Sequence, residues 1–558
     1  MIWLWVCCLL FQMSSVLFAE IRFVDRIKKS AVRSSCSANG GAFGDYNRDG
    51  FPDLFIACLD RDIGSKLYEN RGDGTFENRS DQISDVGAAM GGLFVDIDQD
   101  GDRDLYAIRF NRRNIWLIND KDELRPLPDS LLSRGYAGAT SASIADFDRD
   151  GLLDIFSVYR YSNPNELLLR PSVVGFNSQP EIQSVLSAGR EAFSSTVFDY
   201  NGDGNLDLYV AHFGYEDALH RNDGRAFFIS VADSVGLTEV NFSVAGIPAD
   251  YDSDGDFDLY VIHANEKPNK MWLNEGGVKF VHRDVGAEGV KSSSGGSATD
   301  WDLDGDIDLL VSNINGMDVY ENDGSGLFVD VSGRALTKEL RNKRKTAGIA
   351  TSDYDLDGDI DALLFGLEGQ DVLLSNESAG SNKLSIDWET NRAYSVEVQT
   401  ADHGSQRYMT SLDSRLGSSE DLQTYIGLQG NEPVQLRVSW PSGQQEIIDN
   451  VSADQTLRLS EPIKNGHAKI GLVQLPDKHS TWREYLAMVE IINIGESLVT
   501  NLRLRGRVDL QGQRLYEEEV NVPAIRAETR LFVALPGWKD HSGGPFTVQI
   551  DLKGVENI

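Results

Sequence analysis

Basic residues are scarce in this chain of 558 residues. Only 52 Lys and Arg residues stand against 87 Asp and Glu residues, which gives a formal net charge of −35. A surface this acidic repels nucleic acid and anionic lipid, so we expect neither as a partner. Multivalent cations are the natural counterions of such a chain.

Long apolar runs are missing after the first twenty residues, so we expect no membrane span in the mature chain. Residues 1–19 form one apolar run that ends in the small residue Ala19, which is typical of a signal peptide. This interpretation predicts a secreted, extracellular protein, or a periplasmic or cell-surface one in a bacterium. Because no Lys or Arg precedes the run and Leu17 fits a cleavage site poorly, a retained N-terminal membrane anchor is the alternative.

Cysteine is rare as well. Cys7 and Cys8 belong to the predicted signal peptide, which leaves Cys36 and Cys58 in the mature chain. An even count in an exported chain favours a disulfide. Simple pairing of the flanking strands places residue 40 opposite Cys58, however, so two buried free thiols are the alternative.

One nine-residue pattern, D-x-[DN]-x-D-G-x-x-D, occurs seven times at spacings of 50 to 53 residues. Each copy is followed by a β-rich run such as DLFIA or DLYVI, then by a second run that ends at or near Asn, and often by a phenylalanine. About four strands per repeat, with little helical periodicity, predict the blades of an all-β propeller. The copies begin at Asp45, Asp96, Asp146, Asp199, Asp250, Asp300 and Asp353.

The two ends of the repeat array predict that it closes into a ring. The phenylalanine strand expected after the seventh copy is missing, whereas Phe23 precedes Asp45 by 22 residues, much as Phe76 precedes Asp96 by 20. The N-terminal strand should therefore complete the last blade, which removes the open edges of a linear array. The sequence thus predicts a seven-bladed β-propeller, with an open solenoid as the alternative.

The repeated loops carry the ligands of a calcium site. Oxygen donors at positions 1, 3, 5 and 9 converge on a tight turn that the glycine at position 6 allows. Carboxylates this close repel one another unless a cation lies between them. We expect about seven Ca²⁺ ions, with weaker binding where Asn replaces Asp at position 3; acidic turns without metal are the alternative.

The expected metal ligands fall into seven sets, one for each loop. They are Asp45, Asn47, Asp49 and Asp53; Asp96, Asp98, Asp100 and Asp104; Asp146, Asp148, Asp150 and Asp154; Asp199, Asn201, Asp203 and Asp207; Asp250, Asp252, Asp254 and Asp258; Asp300, Asp302, Asp304 and Asp308; and Asp353, Asp355, Asp357 and Asp361. An EF-hand needs Glu at position 12, where these loops have residues such as Ile56 and Val261.

On this loop motif and its period, residues 21–380 resemble the FG-GAP or VCBS repeat propellers, best known from the heads of integrin α-subunits. The resemblance implies that each acidic loop joins the two inner strands of a blade and holds calcium on one rim of the ring. Residues 382–461 resemble the ASPIC/UnbV domain of cartilage acidic protein and its bacterial relatives, through Trp440–Gly443 and Tyr425–Leu428.

The last hundred residues alternate as strands and are similar to an immunoglobulin-type sandwich of the CARDB sort. The expected architecture is thus all-β, a seven-bladed propeller followed by two small β domains. Its predicted boundaries are a signal peptide at 1–19, the propeller at 20–380, the ASPIC/UnbV-like domain at 381–461 and the sandwich at 462–558.

A recognition face is predicted on the rim opposite the cations, at the residue 13 places after each loop start, where a strand should end. Ordinary variation among loops is the alternative. His212 and His263 are equivalent in this alignment but lack a third ligand for a transition metal, so we expect them at the surface. The seven residues are Cys58, Arg109, Tyr159, His212, His263, Asn313 and Gly366.

These patterns together predict a calcium-binding module that recognises an extracellular protein or glycan. We expect it not to be an enzyme, because no G-x-S-x-G, H-E-x-x-H, phosphate-loop or catalytic Cys/His motif is present. A polysaccharide hydrolase or lyase working in the central channel is the alternative. Arg71, Gly72 and Asp73 spell a tripeptide that integrins recognise, but their place in the repeat predicts turn residues.

Overall fold

Most of the chain consists of short antiparallel β-strands in this computed structural model. The structure describes residues 20–558 except for 99–100, 128–137, 150–151, 161–162, 171–176, 179–189, 344, 379–382, 389–393, 401–403, 411, 414–422, 429–431, 441–444, 460–467, 475–483, 494–501, 511–512, 523–529, 540–545 and 554–558. The predicted signal peptide therefore lies outside the described residues.

Residues 23–376 form seven units of four strands each, numbered in chain order. Unit 1 contains β2 (Ala38–Gly44), β3 (Asp53–Cys58), β4 (Lys66–Asn70) and β5 (Phe76–Asn78). Unit 2 contains β6 (Ala89–Val95), β7 (Asp104–Arg109), β8 (Ile115–Asn119) and β9 (Leu124–Pro126). Unit 3 contains β10 (Ala139–Ala145), β11 (Asp154–Tyr159), β12 (Glu166–Leu169) and β13 (Asn177–Ser178).

The remaining units repeat this order. Unit 4 contains β14 (Ala192–Phe198), β15 (Asp207–Glu216), β16 (Ala218–Asn222) and β17 (Phe228–Ser230). Unit 5 contains β18 (Val240–Ala249), β19 (Asp258–His263), β20 (Lys270–Asn274) and β21 (Phe280–Arg283). Unit 6 contains β22 (Ser293–Thr299), β23 (Asp308–Asn313), β24 (Gly316–Asn322) and β25 (Phe328–Asp330). Unit 7 contains β26 (Thr346–Ser352), β27 (Asp361–Gly366), β28 (Val372–Asn376) and, from the start of the chain, β1 (Phe23–Asp25).

Helix is confined to single turns in the described residues. They are a 3₁₀ turn, η1 (Ser80–Ile83), and three short helices, α1 (Ala232–Val235), α2 (Ser332–Ala335) and α3 (Lys338–Arg341). The prediction of an all-β, propeller-like fold is confirmed. No helix in the described part of the chain has the length and apolar character needed to cross a bilayer.

The first strand of each unit is the innermost, and these strands close a ring. β2 contacts β6, and the contacts continue through β10, β14, β18, β22 and β26 back to β2. Small residues dominate these strands, as in the fully buried ATSASIA of β10, because two neighbouring strands pack against them. At Gly41 a Cβ atom would come within 2.0 Å of the Phe55 carbonyl oxygen, so only glycine fits.

The prediction that the N-terminal strand completes the last unit is confirmed. Phe23 pairs with Asn376 and Asp25 with Leu374, so β1 covers the outer edge of β28. The buried Phe23 ring packs edge-on against Trp301, with 5.1 Å between ring centroids. The two ends of the array are thereby joined in one sheet.

Buried asparagines fasten each unit to the acidic loop of the preceding unit. Asn322 Nδ2 donates to the Tyr251 carbonyl at 2.8 Å, and Asn70 Nδ2 donates to the Tyr354 carbonyl at 2.7 Å, which ties unit 1 to unit 7. In unit 3 Arg170 takes this place and donates to the Ile97 carbonyl. The other members of this circuit are Asn119, Asn222, Asn274 and Asn376.

Cys36 and Cys58 form a disulfide, with 5.8 Å between their Cα atoms. The expected register was wrong here. Residue 38, not residue 40, lies opposite Cys58, because a bulge between Ala38 and Gly40 shifts the pairing of β2 with β3. The bulge brings Cys36 within reach of the end of β3, and both cysteines are buried in the core.

Units 4 and 5 are joined by an extension that the other units lack in the described residues. β15 and β18 each contain ten residues and pair with each other beyond their own units, Phe213 with Phe242 and Glu216 with Val240. The side of the ring where they project, opposite the acidic loops, is called the far face below. The side that carries the acidic loops is called the loop face.

Residues 383–459 form a second domain, built from a three-stranded and a four-stranded sheet. The strands of these sheets are β29 (Lys383–Trp388), β30 (Tyr394–Thr400), β31 (Gly404–Thr410), β33 (Gln423–Gly427), β34 (Val434–Ser439), β35 (Gln445–Val451) and β36 (Gln455–Leu459), and the short β32 (Leu412–Asp413) lies outside both sheets. The buried Trp388 and Trp440 rings meet edge to face, 5.9 Å apart, in the core of this domain.

Six strands follow in two three-stranded sheets, as the alternating pattern of this region predicts. They are β37 (Ala468–Gln474), β38 (Glu484–Asn493), β39 (Leu502–Leu510), β40 (Gln513–Val522), β41 (Arg530–Lys539) and β42 (Phe546–Lys553). Their assignment to an immunoglobulin-type sandwich stays a prediction.

Candidate metal centres in the acidic loops

Each acidic loop joins the first and second strands of its unit and is folded around its first carboxylate. The loops are numbered 1 to 7 after their units. In loop 6 the Asp304 N–H donates to Asp300 Oδ1 at 2.9 Å and the Gly305 N–H donates to Asp300 Oδ2 at 3.0 Å. Gly305 has a φ of 102°, a backbone conformation that favours glycine, and this explains the glycine at position 6.

The carboxylate at position 9 begins the second strand and fixes the loop to the unit. In loop 1 Asp53 Oδ2 accepts the Tyr46 N–H at 3.2 Å, and Asp53 Oδ1 accepts the Asn70 N–H at 2.8 Å. The same pair of bonds recurs in all seven loops, and every one of these aspartates is fully buried. The aspartate at position 9 therefore has a structural task besides any metal ligation.

Five loops bring three carboxylates together. In each, one oxygen from every member lies within 4.8 Å of the others, which is the spacing that ligands of one cation require. The clusters are Asp96, Asp98 and Asp104; Asp146, Asp148 and Asp154; Asp250, Asp252 and Asp254; Asp300, Asp302 and Asp304; and Asp353, Asp355 and Asp357. Asp100 and Asp150 lie outside the described residues.

Loops 1 and 4 have Asn at position 3, and the amide replaces one carboxylate. Asn47 Nδ2 donates to Asp49 Oδ2 at 3.0 Å, and Asn201 Nδ2 donates to Asp203 Oδ2 at the same distance. The Asn47 side-chain oxygen accepts the Asp49 N–H at 3.1 Å. These loops carry less negative charge, so they have less need of a cation than the other five.

Burial makes the loop carboxylates costly to ionise without a cation. Loss of solvent raises the pKa of Asp53 to about 8 and, together with the charge of Asp98, raises the pKa of Asp104 to about 9. Loss of solvent and the charge of Asp254 raise the pKa of Asp250 to about 8, against the lowering effect of the N–H bonds that it accepts. A bound divalent cation would reverse this preference, because it favours the charged form of each ligand.

The surroundings of Asp302 show whether the residues of an acidic loop fit a cation. Asp302 is 1% exposed, and apart from the side chain and backbone N–H of Asp304 in its own loop, neither of its carboxylate oxygens has a hydrogen-bond partner within the described ranges. Burial and the charges of Asp304 and Asp300 raise its pKa. A buried carboxylate costs several kcal/mol, roughly, when nothing compensates it, so a hard cation with oxygen ligands fits this loop.

Four further aspartates, at position 7, were not among the predicted ligands. Asp102, Asp306 and Asp359 are buried, whereas Asp256 is partly exposed and accepts the Gly276 N–H at 2.8 Å. Arg48 of loop 1 pairs with Asp102 of loop 2 at 3.1 Å, which links neighbouring loops. The signal was visible in the sequence, because D-x-D-x-D-G-D occurs in loops 2, 5, 6 and 7.

The expected recognition face does not exist at the residues predicted for it. His212 is 3% exposed and His263 is 1% exposed, and Tyr159, Asn313 and Cys58 are buried as well. The expectation of surface histidines was wrong because side chains close each turn: the His212 N–H donates to Asp217 and the His263 N–H to Asn269. Arg109 alone is partly exposed, and it donates to nearby carbonyls.

Burial also determines the charge of these histidines. Loss of solvent lowers the pKa of both His212 and His263 to about 4. Both rings are therefore neutral at pH 7. The integrin-type tripeptide behaves as predicted, because Arg71, Gly72 and Asp73 form a turn that the Arg71 N–H closes onto the Thr75 carbonyl at 2.9 Å.

The second domain lies directly on four of the acidic loops, which sequence reasoning did not foresee. The first carboxylate of each loop receives a donor from it. The Arg407 N–H donates to Asp250 Oδ2 at 2.9 Å, the Gly427 N–H to Asp300 Oδ2 at 2.8 Å, and the Tyr425 hydroxyl to Asp353 Oδ2 at 2.9 Å. In loop 4 the Arg407 guanidinium lies 3.6 Å from Asp199 Oδ2.

A short strand of the second domain reaches the inner wall of the ring. Residues 412 and 413 of β32 pair antiparallel with Ile144 and Ser143 of β10, on the edge that faces the axis. β32 also contacts β6 and β14, the innermost strands of the two neighbouring units. Since Ser143 and Ile144 lie just before loop 3, β32 enters the channel from the loop face.

The class of protein is thus an all-β ring of four-stranded units. On one face it carries acidic loops whose carboxylates have the spacing of a cation site. The family model of FG-GAP-like repeats matches residues 45–107, 96–157, 199–261 and 300–364. The four matches begin at the first residues of loops 1, 2, 4 and 6, and together they contain all seven loops. The model of the ASPIC and UnbV family matches residues 394–466. The chain therefore carries FG-GAP-like repeats followed by a C-terminal ASPIC and UnbV domain.

Known structures resemble the chain only distantly. It is similar to BBS1N, solved in complex with ARL6DN, with a TM-score of 0.39 over 63% of this chain and 96% of the other. The exotype rhamnogalacturonan lyase YesX gives 0.35 over 61% and 72%, and the V. cholerae biofilm matrix protein Bap1 gives 0.31 over 89% and 76%. All three are 13% identical to it, and likenesses this weak carry no functional argument. No curated protein sequence matches the chain.

Proposed function

We propose that the protein is a secreted propeller module, stabilised by calcium in its acidic loops, that binds an extracellular protein or glycan. The observation that carries the calcium assignment is the buried carboxylate of Asp302, which has no hydrogen-bond partner outside its own loop among the described residues and faces two further carboxylates. Carboxylate oxygens on one short loop, without His or Cys, suit calcium better than a transition metal.

Calcium would contribute to stability by mass action. At about millimolar calcium and a dissociation constant of about 10⁻⁴ M, each occupied site adds roughly 1.4 kcal/mol. The five loops with clustered carboxylates are the strongest candidates, and loops 1 and 4 are expected to bind more weakly because of Asn47 and Asn201. Fully loaded protein should therefore hold about seven ions, five of them more tightly.

The far face is the surface that we assign to a partner, because the second domain covers much of the loop face. The extension of β15 and β18 presents Tyr215, 47% exposed, and Val240, 62% exposed. Beneath them Phe213 stacks on Phe193 with 4.8 Å between ring centroids. An exposed aromatic and aliphatic ridge on a rigid base is typical of binding surfaces.

We propose binding rather than catalysis for this face. The two equivalent histidines, His212 and His263, are buried and neutral, so neither is placed to act on a polymer at the surface. Turnover of extracellular polysaccharides by the purified protein would contradict this assignment.

The calcium assignment is tested by the metal content and melting temperature of the full chain. Asp302→Asn places in loop 6 the amide found in loops 1 and 4, and should remove one tightly bound ion and lower the melting temperature in calcium. Without metal the same change should leave the melting temperature unchanged or raise it, because it removes a repelling charge. Asp284→Asn, at an exposed site, is the control. Protein that binds no calcium and melts alike with and without it would contradict the proposal.

The partner assignment is tested by screening the full chain against glycans and matrix proteins. Val240→Asp should abolish any binding that the screen detects. Val278→Asp changes an equally exposed valine in the turn between β20 and β21, away from the extension, and should leave binding intact. If Val278→Asp abolished binding and Val240→Asp did not, the partner site would lie away from the far face.

A further inference from the structure

The second domain contacts the backbone as well as the carboxylates of the acidic loops. Gln406 Nε2 donates to the Asp250 carbonyl at 2.6 Å, and Lys383 Nζ donates to the Asp357 carbonyl at 2.7 Å. Gly427 packs so closely on loop 6 that a Cβ atom there would lie 2.2 Å from the Leu303 carbonyl carbon. These contacts require loops 5, 6 and 7 to hold one defined shape.

A cation at these loops would fix that same shape. The carboxylates that it would bring together include Asp250, Asp300 and Asp353, and each of these also accepts an N–H or O–H from the second domain. A carboxylate has about four acceptor sites, so one oxygen can accept a hydrogen bond while the group still binds a metal. The groups that contact these three carboxylates are uncharged and hold each carboxylate in place, whereas the Lys383 ammonium at the Asp357 carbonyl adds a positive charge that opposes part of the gain in loop 7.

On this basis we propose that cation binding in loops 5, 6 and 7 and docking of the second domain are one linked equilibrium. Removal of the cations releases the second domain from the ring and withdraws β32 from the channel. The inference rests on the proposed calcium binding and adds to it a task for the second domain. Linkage of this kind is reciprocal, so the docked domain must raise the cation affinity of these loops by the same factor.

Loop 4 is expected to respond with the opposite sign. Its first carboxylate, Asp199, lies beside the Arg407 guanidinium, which also stacks on the Phe257 ring at 4.6 Å. This guanidinium brings a positive charge where a cation would bind, so docking lowers the cation affinity of loop 4. Its ligand at position 3 is Asn201, and the loop has less need of a metal.

Hydrogen exchange of the full chain measures docking directly. β10 is the innermost strand that β32 covers, whereas β22 has no strand on its channel side in the described residues. Transfer from millimolar calcium to metal-free buffer should speed exchange in residues 139–145 much more than in residues 293–299. Equal protection of residues 139–145 in both conditions would overturn the proposal.

A glycine pair tests the reciprocal effect. Gly427→Ala blocks docking by its clash with Leu303, and because its Cβ atom would also lie 2.4 Å from Asp300 Oδ2, loops 5 and 7, not loop 6, report the linkage; Gly333→Ala, where a Cβ atom has nothing within 4 Å, is the control. Gly427→Ala should weaken calcium binding to the coupled loops roughly tenfold. Tyr425→Phe, which keeps the ring and removes only the bond to Asp353, weakens docking less and should lower the calcium affinity of loops 5, 6 and 7 by a smaller factor. Tyr425→Phe is the test of the linkage if the Gly427→Ala protein fails to fold.

The outcomes separate the linkage from calcium binding itself. If the wild-type chain binds calcium and both Gly427→Ala and Tyr425→Phe bind it with unchanged affinity, the linkage is wrong and the proposed function stands. If the wild-type chain binds no calcium, both fail. Weaker binding at loops 5 and 7 in Gly427→Ala, with unchanged binding in Gly333→Ala, supports the linkage.

Discussion

At the scale of single residues, the asparagine that ends the third strand in six of the seven units has the most consequential role. Its side chain joins one unit to the loop of another and simultaneously caps the turn in its own unit. Asn322 Nδ2, for example, donates to the Tyr251 carbonyl at 2.8 Å and to the Ile307 carbonyl at 3.1 Å. The sequence showed the recurrence of this residue but not its purpose, because its partners lie 15 and 71 residues away.

We expect Asn322→Ala to lower the free energy of unfolding by about 2–4 kcal/mol. Two buried carbonyls would lose their donor, and each unpaired buried group costs about 1–3 kcal/mol. Urea denaturation in calcium measures the change. Asn78→Ala, at an exposed position of β5, should cost far less. Similar losses in both variants would show that the circuit of asparagines does not hold the ring.

At the scale of elements, β1 comes from the start of the chain and completes the last unit of the ring. Phe23→Ala should lower the free energy of unfolding by about 3–5 kcal/mol, because it removes a fully buried ring that packs on Trp301. The expected loss is global, since β1 joins the first and last units. Phe110→Ala, at a ring that is 36% exposed, is the control for denaturation measurements. A local loss, seen as faster hydrogen exchange only in β28, would contradict a cooperative ring.

The disulfide is a second element that closes the start of the ring. It joins residues separated by 22 positions, and a link of this length contributes about 2–4 kcal/mol. The double variant Cys36→Ala and Cys58→Ala should lower the free energy of unfolding by that amount in calcium. Since both cysteines are buried, a mild reductant should leave the folded protein unchanged. A double variant as stable as the wild type would show that the link is dispensable.

Among the elements, the repeat pattern predicted the features that local sequence determines. The acidic loops, the strand after each loop and the origin of β1 follow from spacing and periodicity. The bulge at Ala38 and Gly40 was missed, because a register shift leaves no mark in an alternating pattern. The burial of His263 was missed because Asn269, which closes its turn, lies in the following strand region and carries no motif.

At the scale of the whole molecule, the largest omission was the placement of the second domain. Arg407, Tyr425 and Gly427 carry no periodic signal, and their partners lie in repeats more than 70 residues away. Sequence similarity identified the family of this domain but could not show where it docks. The consequence for function is direct, because the docked domain covers four of the acidic loops and leaves the far face open.

The whole molecule should also show a pH dependence that calcium removes. In the metal-free protein the position 9 carboxylates have raised pKa values, about 8 for Asp53 and about 9 for Asp104, against 3.8 in the unfolded chain. Raised values mean that the folded state holds these protons more tightly. Their contribution to stability is therefore complete below the unfolded pKa and is lost as the pH rises through about 8 to 9.

Metal-free protein should accordingly melt at a higher temperature at pH 6.5 than at pH 9, whereas calcium-loaded protein should change little, because the cation takes the place of the protons. The melting temperatures must be measured at or above pH 6.5. Below pH 6.5 His212 and His263, which have lowered pKa values of about 4, reduce the stability of the folded state. Protein freed of metal by dialysis avoids the pH dependence of a chelator. A metal-free melting temperature that stays constant over this range would show that burial and mutual repulsion do not raise the pKa values of these carboxylates in the folded ring.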